Sequence, residues 1–273
     1  LGATMSTGTR VIFASGITSA ILANGAKMVH TDLATLTEMA DGDAPTTVSH
    51  VVAMDNYVLA NTINSRAVNF SDNLSIVNWT ASSTFQKAGK PDDLLGIYEG
   101  WNELMLPGKE SVEVWYDDGT TPFIRRSNGL IERGCGAVYT FTRVGNEWMW
   151  LDDKRRFVKL DGRTPTHMSF PYHKMISAFT AVDDAVSDNL EVAGFPLYVT
   201  SFPSQRKTLA YNYQKDGWAE WGYWNAASAS YEGFRGNCYT YAKTWNKHLV
   251  GDRSNGKIYA MSRNLYTDDG NPI

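Results

Sequence analysis

The chain has 273 residues, of which 43% are hydrophobic and 12% aromatic, and it carries a formal net charge of −4 at pH 7. A chain of this length can bury a large core, and no segment is apolar enough over a sufficient length to span a bilayer. The negative charge argues against non-specific nucleic-acid binding, which needs a surface rich in lysine and arginine. We therefore expect a folded protein with no membrane segment.

One pattern recurs along the chain: an apolar strand, a turn, a second apolar strand, a turn, a strand ending in an aromatic residue or aspartate, and a fourth strand. Its starts lie 41, 44, 42, 41 and 58 residues apart, at Arg10, Val51, Leu95, Ala137, Ala178 and Gly236. A period of about 40 to 50 residues with four strands is typical of β-propeller blades. The sequence predicts an all-β protein, a β-propeller with about four antiparallel strands in each blade. The predicted number of blades is six, within a range of five to seven. The alternative is a β-sandwich with evenly spaced strands, which the regular period disfavours.

The same pattern predicts the domain boundaries. Residues 1–265 are expected to form a single β-propeller domain, with an extension at Asp183–Gly194 that explains the long fifth interval. Residues 266–273 form a turn sequence, which we interpret as the start of a linker to a further segment. A chain that begins with Leu1 rather than methionine is likewise interpreted as a portion of a longer protein.

The third repeat contains the clearest strand. In Ser111–Tyr116 four of the six residues are β-branched or aromatic, and Asp117 to Gly119 then supply turn chemistry. Leu94–Tyr98 and Glu103–Leu106 are predicted to be the two strands before it, and Phe123–Arg126 the strand after it. One such sheet has two hydrophobic faces, so it has to stack against further copies.

Aspartates occur in adjacent pairs that could act as acid and base in a glycosidase or bind Ca²⁺. The pairs are Asp92–Asp93, Asp117–Asp118, Asp152–Asp153, Asp183–Asp184 and Asp268–Asp269. Most of them lie between predicted strands beside Gly, Lys or Pro. A role in turns is therefore favoured over a catalytic or metal-binding role.

The remaining residue types give no site either. The histidines have no spacing typical of metal ligands or catalysis, and each is predicted to be a satisfied side chain: His30, His50, His167, His173 and His248. Cys135 and Cys238 are too few for a disulfide framework, and two reduced, partly buried thiols are favoured over a disulfide between them. No catalytic, cofactor-binding or metal-binding residue is predicted, no small-molecule ligand is expected, and the binding residues stay unknown.

Two further stretches resemble carbohydrate-active features. Residues Ser71 to Trp79 are similar to the Asp-box hairpin of sialidases without its usual glycine, and a sialidase also needs three converging arginines. Trp218, Trp221 and Trp224 could form a platform for sugar rings, but packing between blades is favoured. Regular alternation would place Trp218 and Trp224 on one face of the strand and Trp221 on the other.

Five stretches are similar to motifs of one known family: Glu103–Leu106, Ser111–Tyr116, Pro122–Phe123, Ile131–Cys135 and His248–Tyr259. Together they resemble the packaged-DNA stabilisation proteins, or tail hub (nozzle) proteins, of short-tailed bacteriophages. The resemblance covers essentially all of residues 10–270. No single motif suffices, and the set is fairly specific together.

The resemblance implies a non-enzymatic structural protein of the virion tail, assembled in the host cytoplasm, with no cofactor and no membrane partner. Members of that family look like propeller-based hubs that form a ring, usually a hexamer, below the portal and its adaptor. They help to retain the packaged DNA and connect to the tail needle or fibre proteins, while DNA passes through the channel without specific binding. Two alternatives remain at this point: a glycan-cleaving, sialidase-like propeller enzyme and a generic protein-interaction scaffold.

Overall fold

The computed structural model describes residues 5, 9–16, 19–119, 122–192, 194–225, 228–262 and 264, and the backbone of residues 267–268 and 271–272. The chain divides into two compact units, Leu1–Cys135 and Gly136–Ile273. Nearly all regular structure is β-strand, and six successive antiparallel sheets are the blades of a six-bladed β-propeller. The all-β propeller prediction is therefore confirmed.

The first unit contains three four-stranded blades. The first comprises β1 (Ile12–Ser15), β2 (Ala20–Ala23), β3 (Val29–Thr31) and β4 (Leu36–Glu38). The second comprises β5 (Val51–Met54), β6 (Tyr57–Asn61), β7 (Ala67–Ser71) and β8 (Trp79–Gln86). The third comprises β9 (Tyr98–Gly100), β10 (Glu103–Pro107), β11 (Val112–Tyr116) and β12 (Ile124–Ile131).

The second unit contains the fourth, fifth and sixth blades and a short terminal hairpin. The fourth blade comprises β13 (Cys135–Val144), β14 (Glu147–Asp152), β15 (Phe157–Asp161) and β16 (Thr164–His167). The fifth comprises β17 (Val186–Val192), β18 (Phe195–Phe202), β19 (Lys207–Asn212), β20 (Gly217–Asn225) and β21 (Ser230–Gly233). The sixth comprises β22 (Gly236–Ala242), β23 (Lys247–Asp252) and β24 (Ile258–Met261), and the hairpin comprises β25 (Thr267–Asp268) and β26 (Asn271–Pro272).

Every blade is a meander of strands that are consecutive in the chain. In the second blade, for example, Val51 pairs with Ala60 across β5 and β6, and Leu59 pairs with Phe70 across β6 and β7. A sandwich of the immunoglobulin type instead has Greek-key connections between two sheets. Strand order, and not strand content, therefore rules out the sandwich alternative.

The fifth blade corrects the predicted repeat start at Ala178. A short helix α1 (His173–Ser177) and a preceding 3₁₀ turn (Phe170–Tyr172) end just before that point, and the blade begins at Val186. The predicted extension at Asp183–Gly194 is also wrong, because β17 occupies most of it as the first strand of the blade. The extra length lies instead in the helical insertion and in β21, a fifth strand that pairs with the far half of β20.

In the third blade the predicted strands β10, β11 and β12 are confirmed. The first strand begins later than predicted. Leu94 makes only an isolated bridge to Gly108, and β9 starts at Tyr98. The β9–β10 turn consists of Trp101 and Asn102, whose φ angles are 56° and 57°. A two-residue hairpin loop of type I′ needs positive φ at both positions and usually contains glycine there. The strand boundary was misplaced because this turn lies one residue beyond Gly100.

Each unit has its own hydrophobic core. In the first unit, one cluster lies between blades one and two, and a second lies between blades two and three, where Phe85 packs 4.5 Å from Trp115 between ring centroids. In the second unit, one cluster lies between blades four and five around the buried Phe157, Tyr198 and Tyr211. These clusters bury the two hydrophobic faces of the sheets, as the sequence predicted.

The tryptophans of β20 follow the predicted alternation. Trp218 stacks on Phe157 at 5.1 Å and donates its indole N–H to the Met168 carbonyl at 2.9 Å. Trp221 packs toward the other face, into the cluster between blades five and six. The packing role is confirmed for both of these side chains, whereas Trp224 is 53% exposed.

Candidate functional surfaces

In the pair Asp152–Asp153 the first residue is buried and the second is exposed. Asp152 is fully buried at the end of β14, where its carboxylate accepts the backbone N–H groups of Lys154 at 2.9 Å and Arg156 at 2.8 Å. The same carboxylate pairs with the Arg156 guanidinium at 2.8 Å. Asp152 therefore closes the β14–β15 turn, and Asp153 is exposed to solvent.

Other aspartates bond to backbone in the same way. Asp117 accepts the N–H of Gly119 at 2.8 Å, which confirms the turn after β11. Asp183 and Asp184 also lie in a turn, which the N–H of Ala185 closes on the Val182 carbonyl at 3.1 Å, and the Asp184 carboxylate accepts the N–H of Ser204 at 2.7 Å. The turn interpretation therefore holds for Asp117, Asp152 and the pair Asp183–Asp184, and the pair Asp268–Asp269 lies outside the described side chains.

Asp92 belongs to a buried ionic cluster that the sequence did not reveal. The Lys87 side chain is fully buried and donates to Asp92 Oδ1 in a short contact and to Ser111 Oγ at 2.6 Å. Asp92 Oδ2 accepts the backbone N–H groups of Glu110 at 2.9 Å and Ser111 at 3.2 Å. Burial alone raises the pKa of the Asp92 carboxyl, but the bonds from Lys87 and Glu110 outweigh it and leave the pKa below its ordinary value.

Glu113 lies fully buried on β11 and extends this network. Its carboxylate accepts the backbone N–H groups of Ala88 at 3.1 Å and of Gly89, and the indole N–H of Trp115 at 2.9 Å. The two carboxylates thus hold the segment that connects blades two and three against the third blade. Since their bonds go to neighbouring protein groups, the cluster stabilises the fold and offers no reactive group to a substrate.

His50 is a buried histidine with a perturbed pKa. It is fully buried before β5, with Nδ1 2.9 Å from Ser49 Oγ and Nε2 3.2 Å from the Tyr98 hydroxyl. Burial, assisted by the charge of Arg10, lowers its pKa to about 3. His50 is therefore neutral near pH 7 and fits the predicted role of a satisfied core side chain.

Two other histidines lie beside each other, although their spacing in the sequence is not typical of metal ligands. The rings of His167 and His173 lie 5.6 Å apart between centroids. Within the described part of the chain, however, no group of three or more His, Cys, Asp or Glu residues could hold a metal ion. That the protein needs no metal stays a prediction.

Both cysteines are free, Cys135 buried and Cys238 exposed. We expect one thiol per chain to react with a thiol reagent under native conditions, because only an exposed thiolate is accessible to attack. Two thiols should react after denaturation without prior reduction. A denatured protein that reacts only after addition of a reductant would show that the cysteines form a disulfide.

The far half of the β20–β21 pair, residues 222–225 and 230–233, forms what we call the aromatic hairpin. On one face Trp224 and Tyr231 are 53% and 76% exposed, with ring centroids 5.1 Å apart. On the other face the Arg235 guanidinium lies 4.1 Å from the ring centre of Tyr223. Tryptophan, tyrosine and arginine are the residue types enriched where proteins bind one another. The aromatic hairpin is thus a candidate docking surface that the packing interpretation of Trp224 missed.

The chain is similar to proteins of one known family. The sequence matches the family model described as Bacteriophage P22 Gp10, beta-propeller, over residues 2–266. The chain belongs to this family. The phage family resemblance read from the motifs is therefore confirmed over nearly the whole length of the chain. No curated protein sequence matches the chain.

Solved structures similar to this phage propeller are diverse. Hsv2 of Kluyveromyces lactis is 7% identical with a TM-score of 0.51, over 90% of this chain and 71% of that one. The dihydro-heme d1 dehydrogenase NirN is 7% identical with a TM-score of 0.60, over 92% of this chain and 55% of that one. A protein from Lactobacillus plantarum is 11% identical with a TM-score of 0.58, over 96% and 86%. At such low identity these similarities support the fold alone.

Proposed function

We propose that the chain is a structural component of a phage tail, a hub or nozzle below the portal. In this role about six copies form a ring around the DNA exit channel, retain the packaged DNA and connect to the tail needle or fibre proteins. The observation that carries the proposal is the family match over residues 2–266. The exposed aromatic hairpin supports it, because a protein that works through contacts with other proteins needs such surfaces.

The protein is proposed to have no enzymatic activity and no cofactor. The buried charges that could suggest catalysis, Lys87, Asp92 and Glu113, are bonded to neighbouring protein groups. The similarity to NirN brings no activity with it, since a fold does not imply a function. No specific observation favours the glycan-cleaving or generic scaffold alternatives.

The proposed location is the virion tail, after assembly in the host cytoplasm. Among the described residues, no helix is long and apolar enough to cross a membrane. We also propose that residues 1–265 act as one propeller domain.

An amber mutation in the gene of the phage that encodes this chain tests the proposal. Particles grown without suppression should lack the protein, package DNA and then lose it, so that the genome becomes sensitive to nuclease. Particles grown with suppression serve as the control, and the protein should sediment with them. Particles that lack the protein yet keep their DNA and infect cells would refute the proposed role.

The charge of the ring predicts weak DNA binding. With −4 per chain, six copies carry about −24, and a ring of this net charge repels the phosphate backbone. We expect the purified protein to bind duplex DNA with a Kd no tighter than about 10⁻⁴ M at physiological salt, the weak end of non-specific binding. Fluorescence anisotropy with labelled duplex measures this. Tight binding that weakens steeply with salt would mean that the protein binds the DNA phosphates directly, and this would contradict the prediction.

A further inference from the structure

A polar cleft opens in the first unit, where loops of the second and third blades meet. Its volume is about 430 Å³. The β5–β6 turn contributes Asp55 and Asn56, the loop after β7 contributes Asn73, and the loop after β11 contributes Asp117. Three separate loops thus present short polar side chains to one space.

Several of these side chains have free hydrogen-bonding capacity. Asp55 and Asn56 have no side-chain hydrogen-bond partner among the described residues. Asp117 uses one carboxylate oxygen for the N–H of Gly119 and keeps the other. Asn73 donates its amide N–H to the Tyr57 hydroxyl at 3.2 Å, which leaves the amide oxygen to accept. The cleft therefore offers carboxylate and carboxamide groups to a ligand.

Tyr57 forms a fixed part of the lining. Its ring makes edge contacts with Phe70 at 5.7 Å and Phe123 at 5.6 Å between centroids, and these two rings belong to the core between the blades. Tyr57 and Pro122 are the apolar side chains that border the cleft. A rigid aromatic ring beside polar groups provides a surface for the C–H face of a ligand.

Size and charge narrow the class of ligand. A bare Ca²⁺ ion is held by six to eight oxygens at about 2.3 to 2.6 Å, whereas this cleft has the volume of about fourteen water molecules. Two carboxylates repel phosphates and other anions. An apolar ligand would displace water from the carboxylates and carboxamides without replacing the hydrogen bonds of that water. A neutral ligand that carries many hydroxyl groups satisfies all of these conditions.

We propose that this cleft binds a short neutral oligosaccharide of about two sugar units. The fork of a carboxylate accepts hydrogen bonds from two neighbouring sugar hydroxyls, and a carboxamide both donates and accepts. Tyr57 and Pro122 contact the apolar face of a sugar ring. The binding site goes beyond the proposed tail role, because it gives the protein affinity for a glycan without any cleavage.

Saturation-transfer NMR with the full chain tests the site, with maltose, lactose, cellobiose and N,N′-diacetylchitobiose as probes. We expect at least one of them to bind with a Kd of about 1 mM. Asp55→Asn should weaken that binding at least about tenfold, since a charge-assisted acceptor is lost. Asp55 has a φ of 52°, and asparagine tolerates this left-handed conformation, so the variant keeps the turn.

Asp153→Asn is the matched control, because Asp153 is exposed on a turn of the second unit, and it should leave the affinity unchanged. Asp117→Asn is a second test variant and should also weaken binding. The negatively charged 3′-sialyllactose should bind less tightly than lactose. Absence of saturation transfer from all four neutral probes at about 10 mM, or binding that Asp55→Asn and Asp117→Asn leave intact, overturns the proposal.

Discussion

Replacing Asp92 by alanine is expected to lower the free energy of unfolding by about 3 to 5 kcal/mol. The Lys87 ammonium group is fully buried, and the substitution leaves it without its carboxylate partner. The backbone N–H groups of Glu110 and Ser111 lose their acceptor in the same step. Removal of Asp92 thus leaves a buried charge without its counter-charge and two backbone N–H groups without their hydrogen-bond acceptor. Urea unfolding followed by tryptophan fluorescence measures the change.

The neighbouring aspartate provides the control. The Asp93 side chain is 43% exposed and lies 3.4 Å from Lys109 Nζ, so Asp93→Ala should cost no more than about 1 kcal/mol. The double variant Lys87→Met with Asp92→Leu should recover part of the loss, because it removes both charges together. If Asp92→Ala proved as mild as Asp93→Ala, the buried pair would not stabilise the connection between the blades.

The features that could be predicted from the sequence are local or periodic. The high share of β-branched and aromatic residues identified β11, and the repeat period identified six blades, because both depend on neighbours within one hairpin or one sheet. The prediction that the fifth blade starts at Ala178 was wrong for the same reason, because a helical insertion interrupts the repeat period. Hydropathy alone does not separate an insertion from an early strand.

The buried charges could not be predicted, because their partners lie far apart in the chain. Lys87 is 24 residues from Ser111, and Asp92 is 18 residues from Glu110. In the sequence, Lys87 to Asp93 has the composition of an exposed turn. Only the packing of this connection against the third blade makes the charges buried, and packing of that kind depends on the whole fold. The same holds for the polar cleft, whose residues come from three loops.

Lowering the pH from 7.5 to 5 is expected to reduce the free energy of unfolding by about 2 kcal/mol through His50 alone. In the folded protein burial holds the pKa of His50 at about 3, whereas the ordinary value is 6.5. Below pH 6.5 the unfolded chain therefore binds a proton that the folded protein does not. Stability from the neutral ring is fully present above pH 6.5 and is lost as the pH falls toward 3, at about 1.4 kcal/mol per pH unit.

His50→Gln tests this assignment, since glutamine retains hydrogen-bonding groups near Ser49 and Tyr98 but does not titrate. Comparison of the two proteins at pH 7.5 gives the cost of the substitution itself, because His50 is neutral there in both states. Between pH 7.5 and 5 the free energy of unfolding of the variant should then fall by about 2 kcal/mol less than that of the wild type. The carboxyl of Asp92, with a pKa below 3.8, keeps its contribution in this range and loses it only at more acidic pH. Equal pH dependence in the two proteins would mean that the folded protein accepts a proton on His50, which is incompatible with a fully buried neutral ring.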